Sequence, residues 1–180
     1  MFDALETRPT TYTVRDLIQR VQQGGTRIPQ FQRPLRWKNR DVCAFFDSIW
    51  RGYPVGSMLF WERPAPAERI VLGVAELDVP AVDQALWVVD GQQRLTALAA
   101  TLLDLDQKND ARWRIAFDPA AAESPFGLLP LRGAGSVVPL SVLGDLRRLG
   151  RWLTESTLDE RAQDRVEEAQ QRILDYALPA

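Results

Sequence analysis

The sequence predicts an α+β fold, and three observations carry that prediction. Largely apolar, β-prone runs at 55–62 and 87–89 have the pattern of strands buried on both faces. Helical periods, with apolar residues three and four positions apart, begin at Val14, Val42 and Leu95. From about 139 to 175 the helical pattern dominates. A chain of 180 residues, 46% of them hydrophobic, can bury a substantial core, and its length fits one domain over 1–180.

Each element follows in order. Thr13 caps a helix that turns Val14, Leu17, Ile18 and Val21 inward and stops at Gly24 and Gly25. Arg27, Ile28 and Pro29 form a short strand or extended entry, and Pro29 and Pro34 hold the next stretch extended. Asn39 caps a helix with Val42, Phe45, Phe46 and Ile49 as its buried stripe and Gly52 at its end. The strand over 55–62 contains Gly56, which signals close backbone approach, and is broken by Pro64 and Pro66. Ile70, Val71 and Leu72 read as an edge strand, followed by a loop through Pro80. After the strand at Trp87, Val88 and Val89, Gly91 turns the chain into a helix that buries Leu95, Leu98, Ala99 and Leu102 and runs to about 105.

Residues 112–117 roughly alternate, as a half-exposed strand should, and 118–136 is a Pro/Gly/Ala-rich loop. Ser141 starts a helix carrying Val142, Leu146, Leu149 and Leu153, weakened by Gly144 and Gly150. Thr157 and Glu160 form a capping box for a helix that buries Leu158, Ala162, Val166, Ala169 and Ile173. Residues 174–180 begin another strand.

Composition narrows the chemistry. A net charge of -2 gives no global attraction to nucleic acid, so such contacts need local basic patches. Histidine is absent, which removes Ser-His-Asp catalysis, His-ligated metals and His-dependent nuclease chemistry. Cys43 is the one cysteine; with no internal disulfide or zinc cluster to join, it reads as a core residue of a protein in a reducing, cytoplasmic setting. No signal peptide or membrane segment is expected.

Two stretches carry candidate chemistry. Asp90, Gly91, Gln92, Gln93 and Arg94 join a strand to a helix, with a cation in the first turn, where the macrodipole disfavours one by roughly 0.3–1 kcal/mol. A phosphate held by helix N–H groups and the guanidinium would account for it; a capped turn with solvated side chains is the alternative. From 20 to 40 there is no acidic residue, while Arg20, Arg27, Arg33, Arg36, Lys38 and Arg40 interleave with Phe31 and Trp37. That segment reads as a solvated loop anchored by Trp37, or as a surface that contacts phosphates and stacks on bases.

Three boxes together resemble the N-terminal DGQQR domain of GmrSD-type restriction proteins, a branch of the ParB/sulfiredoxin-like superfamily. The first is Ile28-Pro29-Gln30-Phe31-Gln32-Arg33-Pro34 with Trp37. The second is Asp47-Ser48-Ile49 with Gly52-Tyr53-Pro54-Val55-Gly56-Ser57, and the third is Asp90-Gly91-Gln92-Gln93-Arg94-Leu95. They lie within a motif core of 28–105, with a helical part at about 139–175. The resemblance implies a small mixed β-sheet surrounded by helices, and an N-terminal fragment of a longer protein. It implies defence against phage or foreign, modified DNA, phosphorothioate DNA included, and hydrolysis of a nucleoside triphosphate, GTP among the candidates, with Mg2+. A C-terminal or separate His-dependent nuclease domain would be the partner that cuts DNA, and nuclease activity is not expected from this chain alone.

On that reading Asp90, Gln92, Gln93 and Arg94 are the catalytic candidates, with Asp90 also the candidate metal ligand. Gln32, Arg33, Gly56, Ser57, Gly91 and Arg94 would hold the nucleotide. Arg27, Arg33, Arg36, Trp37, Lys38 and Arg40 are the DNA-contact candidates. The alternatives are a non-catalytic module that senses DNA modification and, ranked below it, a metal-dependent nicking domain.

Overall fold

The computed structural model describes residues 8–29, 36–72, 75–103, 113–129 and 136–180. Strand β1 (Thr11–Thr13) leads into helix α1 (Val14–Gln22), where Thr13 Oγ1 accepts the Asp16 N–H at 3.1 Å and the Asp16 carboxylate accepts the Thr13 N–H at 3.0 Å. This reciprocal box satisfies two donors at the helix start. The predicted stripe of Val14, Leu17, Ile18 and Val21 is buried, and Gly24 (φ +75°) turns the chain into β2 (Thr26–Arg27).

Helix α2 (Asn39–Trp50) buries Val42, Phe45, Phe46 and Ile49 as expected. Its cap is Lys38 rather than Asn39, and the Asp41 carboxylate accepts the Lys38 N–H at 2.8 Å. Cys43 is half-buried, and burial pushes its thiol pKa up. Strand β3 (Leu59–Ala65) starts later than the pattern suggests and continues through Pro64, with a register shift between Arg63 and Ala65. Proline is tolerated because β3 is an edge strand. Nor is it buried on both faces, since Leu59 and Trp61 are exposed.

Strand β4 (Glu68–Leu72) pairs antiparallel with β5 (Ala75–Val79), so part of the loop expected before Pro80 is the second arm of a hairpin. Strand β6 (Val82–Asp90) is central to a mixed sheet of order β2-β6-β3, with β2 parallel to it and β3 antiparallel. Val88 is buried while Val89 is exposed, so β6 has one covered and one partly open face near its end instead of two covered ones.

Helix α3 (Gln92–Leu102) is buried on all sides from Leu95 to Leu102, beyond the single apolar face foreseen. Its Ala and Leu content lets it serve as the inner helix, with α1 on one flank. Strand β7 (Ile115–Phe117) is wholly buried rather than half-exposed, and β8 (Phe126–Leu128) and β9 (Val138–Pro139) pair on its two edges. β8 thus lies inside the stretch expected to be loop.

The helix expected from Ser141 divides at Gly144 into α4 (Leu140–Leu143) and α5 (Leu146–Glu155), whose cap is Asp145. A Cβ at Gly144 would collide with the Leu102 carbonyl at the end of α3, so a glycine is needed there. Helix α6 (Glu160–Leu174) is capped by Asp159, which supplants the predicted Thr157 box because its carboxylate accepts the Ala162 N–H at 2.8 Å. It buries Val166, Ala169 and Ile173 against a core that also includes Phe46 and Leu98. Strand β10 (Ala177–Pro179) pairs antiparallel with β1, and the Pro179 carbonyl accepts the Met58 N–H at 2.8 Å. The fold is mixed α+β, with small sheets and six helices among the described residues. No described helix is long and apolar enough to cross a membrane.

Candidate functional site

β6 ends at Asp90 and α3 begins at Gln92, so the change of direction falls on Gly91, which is left-handed at φ +98°. A Cβ there would lie 2.8 Å from Met58 Cγ and 3.3 Å from Arg94 Nη2. Both the backbone and the space therefore require glycine. Gly91 is the helix cap, and the Asp90 carboxylate is left exposed. The first N–H groups of α3 have no carbonyl within the helix and point out of this end.

Arg94 lies in that first turn, with only 16% of its side chain exposed. Its Nη1 donates to the Val55 carbonyl at 2.9 Å, and its Nη2 to Asp90 Oδ2 at 3.4 Å. Gly56, at φ +82°, passes so close that a Cβ would stand 2.5 Å from Nη1. Two left-handed glycines from separate boxes thus enclose one guanidinium. A guanidinium carries five N–H donors, so it can hold a carbonyl and a phosphate oxygen together.

Gln93 ties in the first box. Its Oε1 accepts the backbone N–H groups of Arg36, at 2.9 Å, and Trp37, at 3.2 Å. This carbonyl is engaged, which makes Gln93 a positioning residue for the arm that carries the cations. Gln92 is half-exposed at the same helix end, and Ser57 is exposed next to Gly56. The structure therefore unites Gly56, Asp90, Gly91, Gln93 and Arg94. Gln32 and Arg33 lie outside the described residues.

Arg27 is corrected as a DNA-contact candidate. It is 1% exposed, and its Nη2 donates to the carbonyls of Pro66 (3.0 Å) and Pro80 (2.7 Å), with Glu68 at 3.8 Å from Nη1. Burial pushes its pKa down. It fastens the β4–β5 hairpin to the sheet and presents no surface to a polyanion. Arg36, Lys38 and Arg40 are exposed around the start of α2, while Trp37 is half-buried with its ring edge-on to Phe45 at 5.2 Å. Asp41 partly balances these cations through a 3.5 Å pair with Arg40.

Among the described residues no three His, Cys, Asp or Glu side chains come together to hold a metal. Asp90 beside a phosphate would fit Mg2+, which is usually held by one or two carboxylates plus phosphate oxygens and water.

The contacts that sequence reasoning missed are backbone groups: the Val55 carbonyl and the N–H groups of Arg36 and Trp37. Side-chain identity carries no trace of them. Met58, under Gly91, was visible only as one more apolar residue in a run.

Among the described residues, Trp37 of the first box, Gly56 of the second and the 90–94 turn of the third thus come together at the start of α3. Residues 14–175 match the N-terminal domain of GmrSD restriction endonucleases. The chain belongs to that family. A GmrSD-type N-terminal domain accounts for the chain from α1 to the end of α6. The chain is also similar to an uncharacterised protein of Methanocaldococcus jannaschii, with 28% identity over 100 residues. That similarity covers 52% of this chain and 17% of the relative's length.

Proposed function

We propose that this chain binds and hydrolyses a nucleoside triphosphate, GTP or another, at the 90–94 turn. In doing so it would regulate a DNA-cleaving effector in modification-dependent restriction or anti-phage defence. The observation that carries the reading is the enclosure of Arg94 by Gly56 and Gly91 at the open N-terminus of α3. A helix terminus and a guanidinium meet there with backbone close on both sides, as recognition of phosphate oxygens requires. The ParB/sulfiredoxin-like relationship of the fold belongs to the same proposal, as does a His-dependent nuclease domain as partner.

Hydrolysis transfers the γ-phosphoryl group to water. The water oxygen bonds to phosphorus, the bond to the β–γ bridging oxygen breaks, and a diphosphate, inorganic phosphate and a proton are released. The protein's part is positioning and charge stabilisation. Arg94 would hold the transferring phosphate and Gln92 would orient the water. Mg2+, when bound, would be held by Asp90 and the phosphates and would neutralise their charge. Purified protein with NTP and Mg2+ is expected to release phosphate. Arg94→Ala and Asp90→Ala are expected to lose that release with circular dichroism unchanged; full turnover in both variants would remove the assignment.

A second reading has its own observation. Lys38 and Arg40 stand at the start of α2, where the dipole disfavours cations, and Gln93 holds that arm against the turn. A DNA backbone there would turn this cost into a contact. Salt-dependent binding of phosphorothioate over plain duplex, without NTP turnover, would select the sensing module.

A further inference from the structure

The sheet β2-β6-β3 has an outer face that the core does not use. Trp61 and Arg63 lie on it from β3, and Trp87 and Val89 from β6, with Trp61 directly opposite Trp87 in the register, while Leu59 is exposed just beyond a register shift between Leu59 and Phe60. This face is closed at Ala85 and on the β2 side of Trp87, where Arg27, in register with Trp87, is buried and bonds the carbonyls of Pro66 and Pro80. Towards the turn it is open, with Leu59 at 51%, Trp61 at 54% and Val89 at 49% exposure. The Arg63 guanidinium lies over both indoles, 5.1 Å from the Trp61 ring and 4.6 Å from that of Trp87. Arg63 follows Trp61 in the direction away from Leu59, so it backs the rings on the hairpin side. Trp61, at 54% exposure, is the accessible ring of the pair, and Trp87 is half-buried beside it.

This shelf lies along β6 from the Arg94 turn. Leu59 pairs with Asp90, the residue before Gly91, and Trp87 is three residues back along β6, about 10 Å at the rise of a strand. An extended nucleoside triphosphate spans that separation. Indole faces backed by a cation suit a flat, electron-rich ring that belongs to an anion.

We infer that the open half of this face is the base-stacking shelf of the nucleotide site, with Trp61 and Trp87 as the platform and Arg63 as its backing. The inference rests on the triphosphate reading of the Arg94 turn. Because stacking engages ring faces and not ring edges, the shelf favours purines over pyrimidines and separates guanine from adenine only weakly.

The test compares GTP, ATP, CTP and inorganic tripolyphosphate, each with Mg2+, by calorimetric titration of the wild-type chain, Trp61→Ala and Trp61→Phe. In the wild type, purine triphosphates are expected to bind on the order of ten-fold tighter than tripolyphosphate. Trp61→Ala should erase that margin without shifting the melting temperature, and Trp61→Phe should restore most of it. Equal binding of tripolyphosphate and GTP in the wild type, or a margin that survives Trp61→Ala, overturns the shelf and leaves the phosphate site standing. Failure of both tripolyphosphate and GTP to bind overturns the phosphate reading and the shelf with it. A single-stranded oligonucleotide that binds through Trp61 while GTP does not assigns the shelf to DNA, and so overturns it as a nucleotide subsite.

Discussion

Arg27 and Arg94 belong to the two segments that flank β6, and the sequence offers both as cations for a polyanion. The structure treats them oppositely. Arg27 is enclosed by Gly24, Val79 and Pro80, and its Nη2 is held by two loop carbonyls. Arg94 is held by one carbonyl and one exposed carboxylate, at the mouth of a helix. What separates the two arginines is where their remaining donors lie. At Arg27 the surroundings are interior, whereas at Arg94 they are a helix terminus that itself attracts anions.

The largest expected effect is on stability at Arg27. Arg27→Ala leaves the Pro66 and Pro80 carbonyls without their donor and opens a cavity, at an expected cost of about 3 kcal/mol in urea unfolding. A loss below about 1 kcal/mol would break the contrast. Arg94→Ala is expected to cost about 1 kcal/mol, the worth of one hydrogen bond, while nucleotide binding disappears. Equal destabilisation of the two variants, with binding kept in Arg94→Ala, would reverse the assignment.

Gly56→Ala sharpens the contrast from the backbone side. Its Cβ would push on Nη1 from a left-handed position, so nucleotide affinity should fall with a stability loss of about 1 kcal/mol. Gln93→Ala removes the acceptor for two N–H groups, and amide exchange at Arg36 and Trp37 should quicken while exchange within α1 stays unchanged. Protection retained at both amides would show that the arm is held by other contacts.

The smallest effect concerns Asp16, whose pKa is held below its ordinary 3.8 by the hydrogen bonds from the Thr13 hydroxyl and N–H. A depressed carboxylate stabilises the fold above its unfolded pKa, and that contribution fades as pH falls through the lower, folded value. Melting temperatures of wild type and Asp16→Asn should differ slightly at neutral pH and converge in acid below about 3.8. Since Asp16 is solvent-exposed, screening keeps the difference small. A constant gap down to acid pH would remove the capping box as its source.

Helices were the most legible part of the sequence, because a 3.6-residue stripe such as Val42, Phe45, Phe46 and Ile49 has no other simple explanation. Strands were less so, for a physical reason visible at β3. Its outward residues Leu59 and Trp61 are apolar yet exposed, so the sequence shows a continuous apolar run where the structure has a covered and an open face. The same holds for Val89 in β6. Of the candidate site, the turn and its glycines could be read from residue types. The partner of Arg94 could not, because a carbonyl is common to every residue and only the fold selects Val55. Arg27 was misread because charge counts along a segment do not register which cations a strand carries inward.

The Pro179–Met58 hydrogen bond has a mechanical consequence. β10 is clamped to β1 along its length and to Met58 at its end, and Met58 packs directly beneath Gly91. The residue beneath the turn is thus held from the β10 side by one backbone hydrogen bond of 2.8 Å. The position of β10 is thereby linked to that of the Arg94 turn through Met58.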